Sequence, residues 1–305
     1  MILVSLASVG VAAAAVAIVV SMINWGGGAR DGGGTEDGGG SASADSRIAY
    51  LSDRGGGQDL WSMRADGSDP IQLTHDGGDL NRPDWSRDGK WIAFPSDRDG
   101  DLDIWIMKAD GSNLRQLTNH PAVDSAPDWS PDGRRIVFGS ERAGGDSEIW
   151  VVNVDGTGLR QLTDNAVDDD APDWSQSGTI AFESDRDGDY EIYTINEDGG
   201  DLFQVTSNTT KDFFPDWSPD STRIAFRGNA DGDYDIYTVV ADGSGLRRLT
   251  SNDASDHRPA WSHDGASIFF DSDVGGNRDI YRMTAEGKNV RRLTDSPADD
   301  SSPAV

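Results

Sequence analysis

The sequence predicts an all-β fold, a six-bladed β-propeller closed by its C-terminal strand and preceded by an N-terminal transmembrane helix and a flexible tether. A short motif recurs every 43 to 45 residues from residue 47 onward. Each recurrence contains short apolar runs separated by Asp-Gly turns, and the first and last folded segments are complementary parts of one repeat. A period of about 40 to 45 residues with four strands is typical of propeller blades.

The chain opens with an apolar segment, residues 2–23, that contains no charged side chain. A helix of about 20 residues spans the hydrocarbon core of a bilayer. Trp25 follows where an interfacial aromatic residue belongs. We therefore expect residues 1–25 to be a transmembrane or signal-anchor segment. The alternative is a cleaved signal peptide, whose apolar region is usually shorter.

A tether follows, because residues 26–45 are rich in Gly, Ser and acidic residues and cannot bury apolar surface. This leaves residues 46–305 as one folded domain. A signal anchor would attach this domain to the membrane through residues 2–23 and place it outside the cytoplasm, in the periplasm or at the cell surface.

Two markers define the repeat. Tryptophans stand before a serine at Trp85, Trp129, Trp174, Trp217 and Trp261. Threonines follow Leu or Val, with the same spacing, at Thr74, Thr118, Thr163, Thr206, Thr250 and Thr294. One large apolar side chain at the same strand position of every blade is what packing between blades requires. We therefore interpret the tryptophans as core residues rather than as an aromatic binding site.

The turn residues place four strands in each repeat. In the third repeat, turns are expected at Pro131–Gly133, 144–146 and 155–156, because Pro presets φ and Gly tolerates positive φ. These turns separate strands over 127–130, 136–138, 149–152 and 159–162. Three consecutive hairpins of this kind make one blade.

The two ends of the folded region complement each other. Residues 47–50 align with 91–94, which form a second strand, so the first blade begins without its first strand. Residues 300–305 align with 256–261, a first strand. We expect this last segment to complete the first blade and close the ring, removing unpaired sheet edges. Val305 replaces the tryptophan of the other blades.

Composition narrows the function. The formal net charge of −28 repels nucleic acid and favours cations or a protein partner with a basic surface. Absence of cysteine excludes disulfides, thiolate catalysis and Cys-based zinc sites. The sequence has no Gly-x-Ser-x-Gly motif, and its four histidines lack metal-pair spacing. We therefore do not expect an enzyme.

A row of aspartates is the candidate partner-binding site. The innermost strand of a blade lines the channel, so we expect carboxylates three residues before each proline to form a ring at one mouth. A ring of like charges would favour a cation or a basic partner. The alternative is that each aspartate binds backbone donors of its own loop. The residues are Asp79, Asp124, Asp169, Asp212, Asp256 and Asp300, with Leu80 taking the place of the aspartate in the odd blade.

Acidic runs at 97–103, 185–191 and 229–235 superficially resemble calcium loops. The helix-loop-helix calcium site requires Gly at its sixth position and Glu at its twelfth. Here Gly is fourth and the twelfth residues are Lys108, Asn196 and Val240. We therefore expect hairpin turns and no cofactor, with weak binding of calcium or another divalent cation as the alternative.

The motifs at 127–133 (Pro-Asp-Trp-Ser-Pro-Asp-Gly), 92–94 (Ile-Ala-Phe) and 235–237 (Asp-Ile-Tyr) resemble the repeats of TolB-type, WD40-like β-propellers. The resemblance covers residues 47–305. It implies an extracytoplasmic propeller that binds other proteins through its faces and central channel, as TolB binds a peptidoglycan-associated lipoprotein. TolB carries an α/β domain before its propeller, which residues 1–45 do not supply.

The expected function is therefore a membrane-tethered extracytoplasmic protein–protein interaction module, or scaffold. Its partner would contact the acidic channel mouth or blade loops such as 119–126 and 164–171. The alternative is a cation-dependent enzyme or a carbohydrate-binding propeller that holds its ligand in the central channel.

Overall fold

The computed structural model describes residues 46–75, 78 and 80–305. The predicted anchor (1–25), the tether (26–45) and Asp79 lie outside the described residues. Within the described residues the chain forms 24 β-strands and no helix. None of these residues therefore belongs to a helix with the length and hydropathy needed to span a bilayer.

The strands form six antiparallel sheets of four strands each, which confirms the predicted six blades. Blade 1 contains β24 (Asp300–Ala304), β1 (Arg47–Ser52), β2 (Asp59–Arg64) and β3 (Ile71–Gln72). Blade 2 contains β4 (Asp84–Trp85), β5 (Trp91–Ser96), β6 (Asp103–Lys108) and β7 (Arg115–Gln116). Blade 3 contains β8 (Asp124–Trp129), β9 (Arg135–Ser140), β10 (Glu148–Asn153) and β11 (Arg160–Gln161).

The remaining blades repeat this order. Blade 4 contains β12 (Asp169–Trp174), β13 (Thr179–Ser184), β14 (Glu191–Asn196) and β15 (Phe203–Gln204). Blade 5 contains β16 (Asp212–Trp217), β17 (Arg223–Gly228), β18 (Asp235–Val240) and β19 (Arg247–Arg248). Blade 6 contains β20 (Asp256–Trp261), β21 (Ser267–Ser272), β22 (Asp279–Thr284) and β23 (Arg291–Arg292).

The four strands predicted for the third repeat are confirmed. Strand β8 begins three residues earlier than the predicted 127. Gly133 and Gly156 turn the chain with φ of 66° and 83°, values that side chains with a Cβ rarely adopt. The structure therefore uses turn chemistry that can be recognised in the sequence.

The ring closes through blade 1 as predicted. Strand β24 pairs with β1, with Ala49 opposite Ala304 and Ser52 opposite Asp300. Arg54 Nη2 lies 2.8 and 2.6 Å from the two carboxylate oxygens of Asp300. The first blade thus obtains its inner strand from residues near 300.

The repeated tryptophans pack between blades, which confirms their interpretation as core residues. They are only 5 to 8% exposed. Trp129 of blade 3, for example, lies in one cluster with Ile104 and Ile106 of blade 2. In blade 1 the smaller Val305 packs partly against the cluster containing Ile280 of blade 6.

Strand direction defines two faces. The upper face carries the hairpins between the second and third strands and the loops between blades. The lower face carries the turns that follow the inner strands. Five inner strands are bulged midway, and the bulged residue has a left-handed φ of 46 to 54°. These residues are Ala126, Ala171, Phe214, Arg258 and Ser302.

Candidate functional site

The five described aspartates of the predicted ring begin the inner strands and are 0 to 3% exposed. Each contacts groups of its own blade or of the adjoining loop. Asp124 accepts a 2.6 Å hydrogen bond from Ser140 Oγ and forms an ion pair with Arg142. Asp169 contacts Arg186 through both oxygens at 2.7 Å.

These carboxylates also hold the loops between blades. Asn165 donates to Asp169 at 2.7 Å, and Asn208 donates to Asp212 at 2.8 Å. Burial, followed by the charge of Glu191, raises the pKa of Asp212 to about 8. The donors seen are side chains of the same blade or adjoining loop, and not the backbone donors that the alternative interpretation expected. A direct contact with a partner stays a prediction.

A second set of carboxylates lies lower in the channel, at the residue before four of the five repeated tryptophans. Each accepts a hydrogen bond of 2.6 to 3.0 Å from the backbone N–H of the tryptophan in the next blade. Blades 6 and 1 have Ala260 and Ala304 at this position. Four aspartates occupy these positions and line two adjoining cavities of the channel: Asp84, Asp128, Asp173 and Asp216.

These four carboxyl groups share a desolvated environment. Burial raises the pKa of Asp84 to about 7 and that of Asp173 to about 6. Burial and the neighbouring carboxylates also raise the pKa of Asp128, which is hydrogen-bonded to Asp84. A carboxyl group that keeps its proton donates a hydrogen bond to a neighbouring carboxylate, which relieves the repulsion among them. Through their hydrogen bonds to the tryptophan N–H groups, these four aspartates connect neighbouring blades.

The upper end of the channel is built from residues that differ between blades. The bulge position holds Phe214 in blade 5 and Arg258 in blade 6, but alanine in blades 3 and 4. Register places Arg227 opposite Phe213. Because the scaffold repeats, such departures mark where the propeller is specialised.

Three guanidinium groups surround the Phe214 ring. Their central carbons lie 4.6 Å (Arg227), 5.3 Å (Arg258) and 5.9 Å (Arg82) from the ring centroid. Arg227 also lies 4.3 Å from the Tyr234 centroid. These distances are in the range of cation–π attraction.

The aromatic rings continue across the upper face from blade 4 to blade 6. Tyr190 lies 4.7 Å from Phe213, which lies 6.2 Å from Tyr234. Tyr234 in turn lies 5.4 Å from His257. We call Tyr190, Phe213, Phe214, Tyr234 and His257, together with Arg82, Arg227 and Arg258, the upper cluster.

Two arginines of the upper cluster reach across the channel. Arg82 of blade 2 donates to the carbonyl oxygens of Ala171 (3.2 Å) and Pro215 (2.7 Å) in blades 4 and 5. Arg258 donates to Ser302 Oγ at 2.5 Å in blade 1. Both arginines also line a channel cavity together with the four aspartates of the second set.

The electrostatics of the upper cluster follow from burial and from its crowded cations. Burial, then the charge of Arg227, lowers the pKa of His257 to about 3, so the imidazole is neutral. The Nδ1 atom of His257 lies 2.5 Å from Arg227 Nη1, and the neutral ring accepts this hydrogen bond. Burial raises the pKa of Glu183, behind the cluster, to about 7.

Sequence reasoning missed this cluster because it followed positions that repeat. The signal that was available is variation between blades at one inner-strand position, the residue before the repeated proline. Reading that column across blades 1 to 6 gives Ser302, Arg82, Ala126, Ala171, Phe214 and Arg258.

Two of the three acidic runs bring carboxylates together at hairpins, as expected of turns. Asp187, Asp189 and Glu191 have oxygens within 4.8 Å of one another, and so have Asp231, Asp233 and Asp235. In the second group Arg248 ion-pairs with Asp231 at 2.5 Å and also pairs with Asp235. With one oxygen from each carboxylate, such a group supplies three of the six to eight oxygens that calcium takes. Metal binding stays untested.

Comparison with known families places the fold. The profile described as the TolB beta propeller domain matches residues 119–214 and 204–305. The chain belongs to the TolB β-propeller family. A second profile, for the Tricorn protease N-terminal beta propeller domain, matches residues 44–148 of this TolB-type chain. The predicted resemblance is thereby confirmed. A search of curated proteins gave no significant match.

Solved structures of low sequence identity share the propeller. TolB from Acinetobacter baumannii is 21% identical with a TM-score of 0.77, and the match covers 86% of this chain but 66% of that TolB. A chain of a nidogen/laminin complex is 9% identical with a TM-score of 0.69, and the match covers 85% of this chain and 97% of that one. Oligogalacturonate lyase in complex with manganese is 14% identical with a TM-score of 0.58, and the match covers 81% of this chain and 73% of the lyase chain. These likenesses show the fold.

Proposed function

We propose that this TolB-type propeller is a membrane-tethered extracytoplasmic interaction module that binds a protein partner at the upper mouth of its channel. One observation carries the proposal: arginine and aromatic side chains gather on the upper face at positions where the blades differ. Aromatic residues and arginine are the types enriched at the energetic centres of protein interfaces.

Tethering and location are inferred from the sequence. Residues 2–23 are apolar enough to anchor the chain, and residues 26–45 have the composition of a flexible spacer. Membership of the TolB β-propeller family supports an extracytoplasmic position for the domain.

Acidic residues around the upper cluster favour a partner with a basic surface. The hairpins of the upper face expose Asp99, Asp187, Asp231 and Asp273. Such a rim speeds the encounter with a positively charged protein more than it strengthens the final contact. In this proposal the buried inner-strand aspartates, such as Asp169 and Asp212, hold the loops that the partner touches.

The related folds support two outcomes. The nidogen/laminin structure is a propeller fold in a protein complex, which is the outcome we propose. The oligogalacturonate lyase structure is an enzyme with manganese, so a cation-dependent enzyme or a carbohydrate-binding propeller is the competing outcome.

The test is affinity capture from an envelope fraction, with the full chain in detergent micelles as bait. We expect one partner to be retained by the wild type and lost on Tyr190→Ala or Tyr234→Ala, because both rings stand half-buried on the upper face. Phe203→Ala, which removes a 46% exposed aromatic side chain from the outer strand β15, is the matched control.

The same assay tests the aspartate ring. Asp169→Asn and Asp256→Asn are assayed with and without a chelator, and unchanged recovery would remove those residues from the partner site. Equal capture by wild type, Y190A and Y234A would refute the proposed surface. Binding of an oligosaccharide in place of a protein would favour the competing outcome.

A further inference from the structure

The three arginines of the upper cluster lack a carboxylate partner. Within the described part of the chain, no Asp or Glu oxygen lies within 4.0 Å of Arg82, Arg227 or Arg258. Other arginines of the upper face do have such a partner, including Arg142 with Asp124 and Arg186 with Asp169. The upper cluster therefore concentrates positive charge in a chain of net charge −28.

Two acidic groups beside Arg227 and Arg258 are hydrogen-bonded to backbone. Glu183 Oε2 accepts from the Phe214 N–H at 2.7 Å, and Asp271 Oδ1 accepts from the Ser302 N–H at 3.1 Å. They moderate the field of the arginines without forming direct ion pairs with them.

Two donors of the cluster also have no acceptor. Nε of Arg227 and Nε of Arg258 are buried and make no hydrogen bond within the described residues. A buried N–H group without an acceptor is costly, and the cost is greater when the group is charged. Both arginine side chains are partly exposed, so an anion on their accessible side would supply the direct ion pair that no described carboxylate makes with them.

The chemistry of the upper cluster favours a carboxylate. A guanidinium presents parallel N–H donors that match the two oxygens of a carboxylate. The exposed aspartates on the surrounding hairpins repel a phosphate dianion more strongly than a singly charged group. The neighbouring rings of Phe213 and Tyr234 offer apolar contact beside the charge.

We infer that the upper cluster binds the carboxylate of an acidic peptide segment, presented next to an apolar side chain of the partner protein. The inference rests on the proposed function, since it names the chemistry of the partner at the same mouth. The partner would then present an acidic group at the centre of its contact, within a basic surround that faces the acidic rim.

The test uses the full chain in detergent micelles and calorimetric titration. The probe is a blocked Phe-Glu-Phe tripeptide, which carries a single carboxylate, compared with the same peptide carrying Gln for Glu and with inorganic phosphate. We expect the Glu peptide to bind wild type at least tenfold more tightly than the Gln peptide, and phosphate not to compete with it.

Variants locate the effect. Arg227→Gln and Arg258→Gln should each weaken binding of the Glu peptide at least tenfold. Arg160→Gln removes the same charge from the outer strand β11, where Arg160 donates to the Glu197 carbonyl, and should leave binding unchanged. Arg227→Lys keeps the charge but loses the two-donor geometry. Its affinity for the Glu peptide should therefore lie between those of wild type and R227Q.

Equal binding of the Glu and Gln peptides to wild type would overturn the inference without need of any variant. Competition by phosphate would overturn it in favour of general anion binding. Partner capture that survives R227Q and R258Q would refute the carboxylate contact and leave the interaction module standing. Tight, arginine-dependent Glu-peptide binding with no partner captured would refute only the proposed function.

Discussion

Asp128 of blade 3 accepts a 2.6 Å hydrogen bond from the backbone N–H of Trp174 in blade 4. The Trp174 side chain packs back against Val137 and Val151 of blade 3. The same pair of positions thus joins adjacent blades twice, by a carboxyl group in the channel and by an aromatic ring in the core.

The buried channel aspartates predict that stability falls as pH rises. Burial raises the folded-state pKa of Asp84 to about 7 and of Asp173 to about 6. Between about pH 4 and pH 7 the folded state therefore holds protons that the unfolded chain has released, so the free energy of unfolding decreases as pH rises. Urea unfolding at pH 4, 6 and 8 measures this dependence.

Asp128→Asn should reduce that dependence. The amide keeps an oxygen for the Trp174 N–H and donates to the neighbouring carboxylates, as a protonated Asp128 does. We expect the variant to be about 1 kcal/mol more stable than wild type at pH 8, the order of the cost of an unpaired buried polar group, because the amide adds no charge beside Asp84 and Asp173. Asp253→Asn, in an exposed loop, is the control. An unchanged or steeper pH dependence in D128N would contradict the role assigned to these groups.

The closure predicts a specific loss from Asp300→Asn. Arg54 contacts both oxygens of the fully buried Asp300 across the junction of β1 and β24. Removing the negative charge should lower the free energy of unfolding by about 1 to 3 kcal/mol. Asp295→Asn removes a carboxylate that is 86% exposed and pairs with Arg292, so it should cost less than about 1 kcal/mol. Equal urea midpoints for the two variants would show that the contact between Arg54 and Asp300 does not stabilise the closure.

Val305 offers room for a larger side chain. It occupies the position of the other blades' tryptophans, and a groove beside it is lined by Arg47, Trp85 and His263. Val305→Trp should stabilise the fold by about 1 to 2 kcal/mol through added apolar burial. Val274→Trp, at a 56% exposed hairpin position, is the control. A lower melting temperature for V305W would mean that the junction is already filled and the ring overpacked.

Calcium should leave the melting temperature unchanged. Each acidic hairpin site supplies three carboxylates, and in blade 5 Arg248 already pairs with two of them. Calcium usually requires six to eight oxygen ligands. Thermal unfolding in about 1 mM calcium and in excess chelator measures the effect. A rise above about 2 °C that disappears in Asp189→Asn would establish a site in blade 4.

The fold was accessible from the sequence because its determinants are local and repeated. Turns such as Pro131–Gly133 have recognisable chemistry, and the alignment of 47–50 and 300–305 to different strands of one repeat was enough to predict closure. The role of the inner-strand aspartates was harder to predict. Their partners include Arg142 and Arg186, which stand two residues after Ser140 and Ser184 at the ends of second strands. The sequence shows that an arginine follows this serine by two residues, but it does not show that the arginine side chain turns toward the inner-strand aspartate.

The upper cluster could not be predicted in the same way. It joins residues 82, 214 and 258, which lie far apart in sequence and meet only because the ring brings their blades around one axis. Bulges at Phe214 and Arg258 place both residues in a left-handed backbone conformation that no local sequence motif predicts. The proposed binding surface uses positions that depart from the repeat, and these positions meet only in the folded ring.

The pairing of β24 with β1 also determines when the first blade can be completed during synthesis. The ribosome makes β24 after the other 23 strands, so the inner edge of β1 stays open throughout most of translation. An open strand edge recruits other strands, which makes the incomplete nascent chain prone to aggregation. Cooperative folding of this propeller therefore waits for the last strand of the ring to be synthesised.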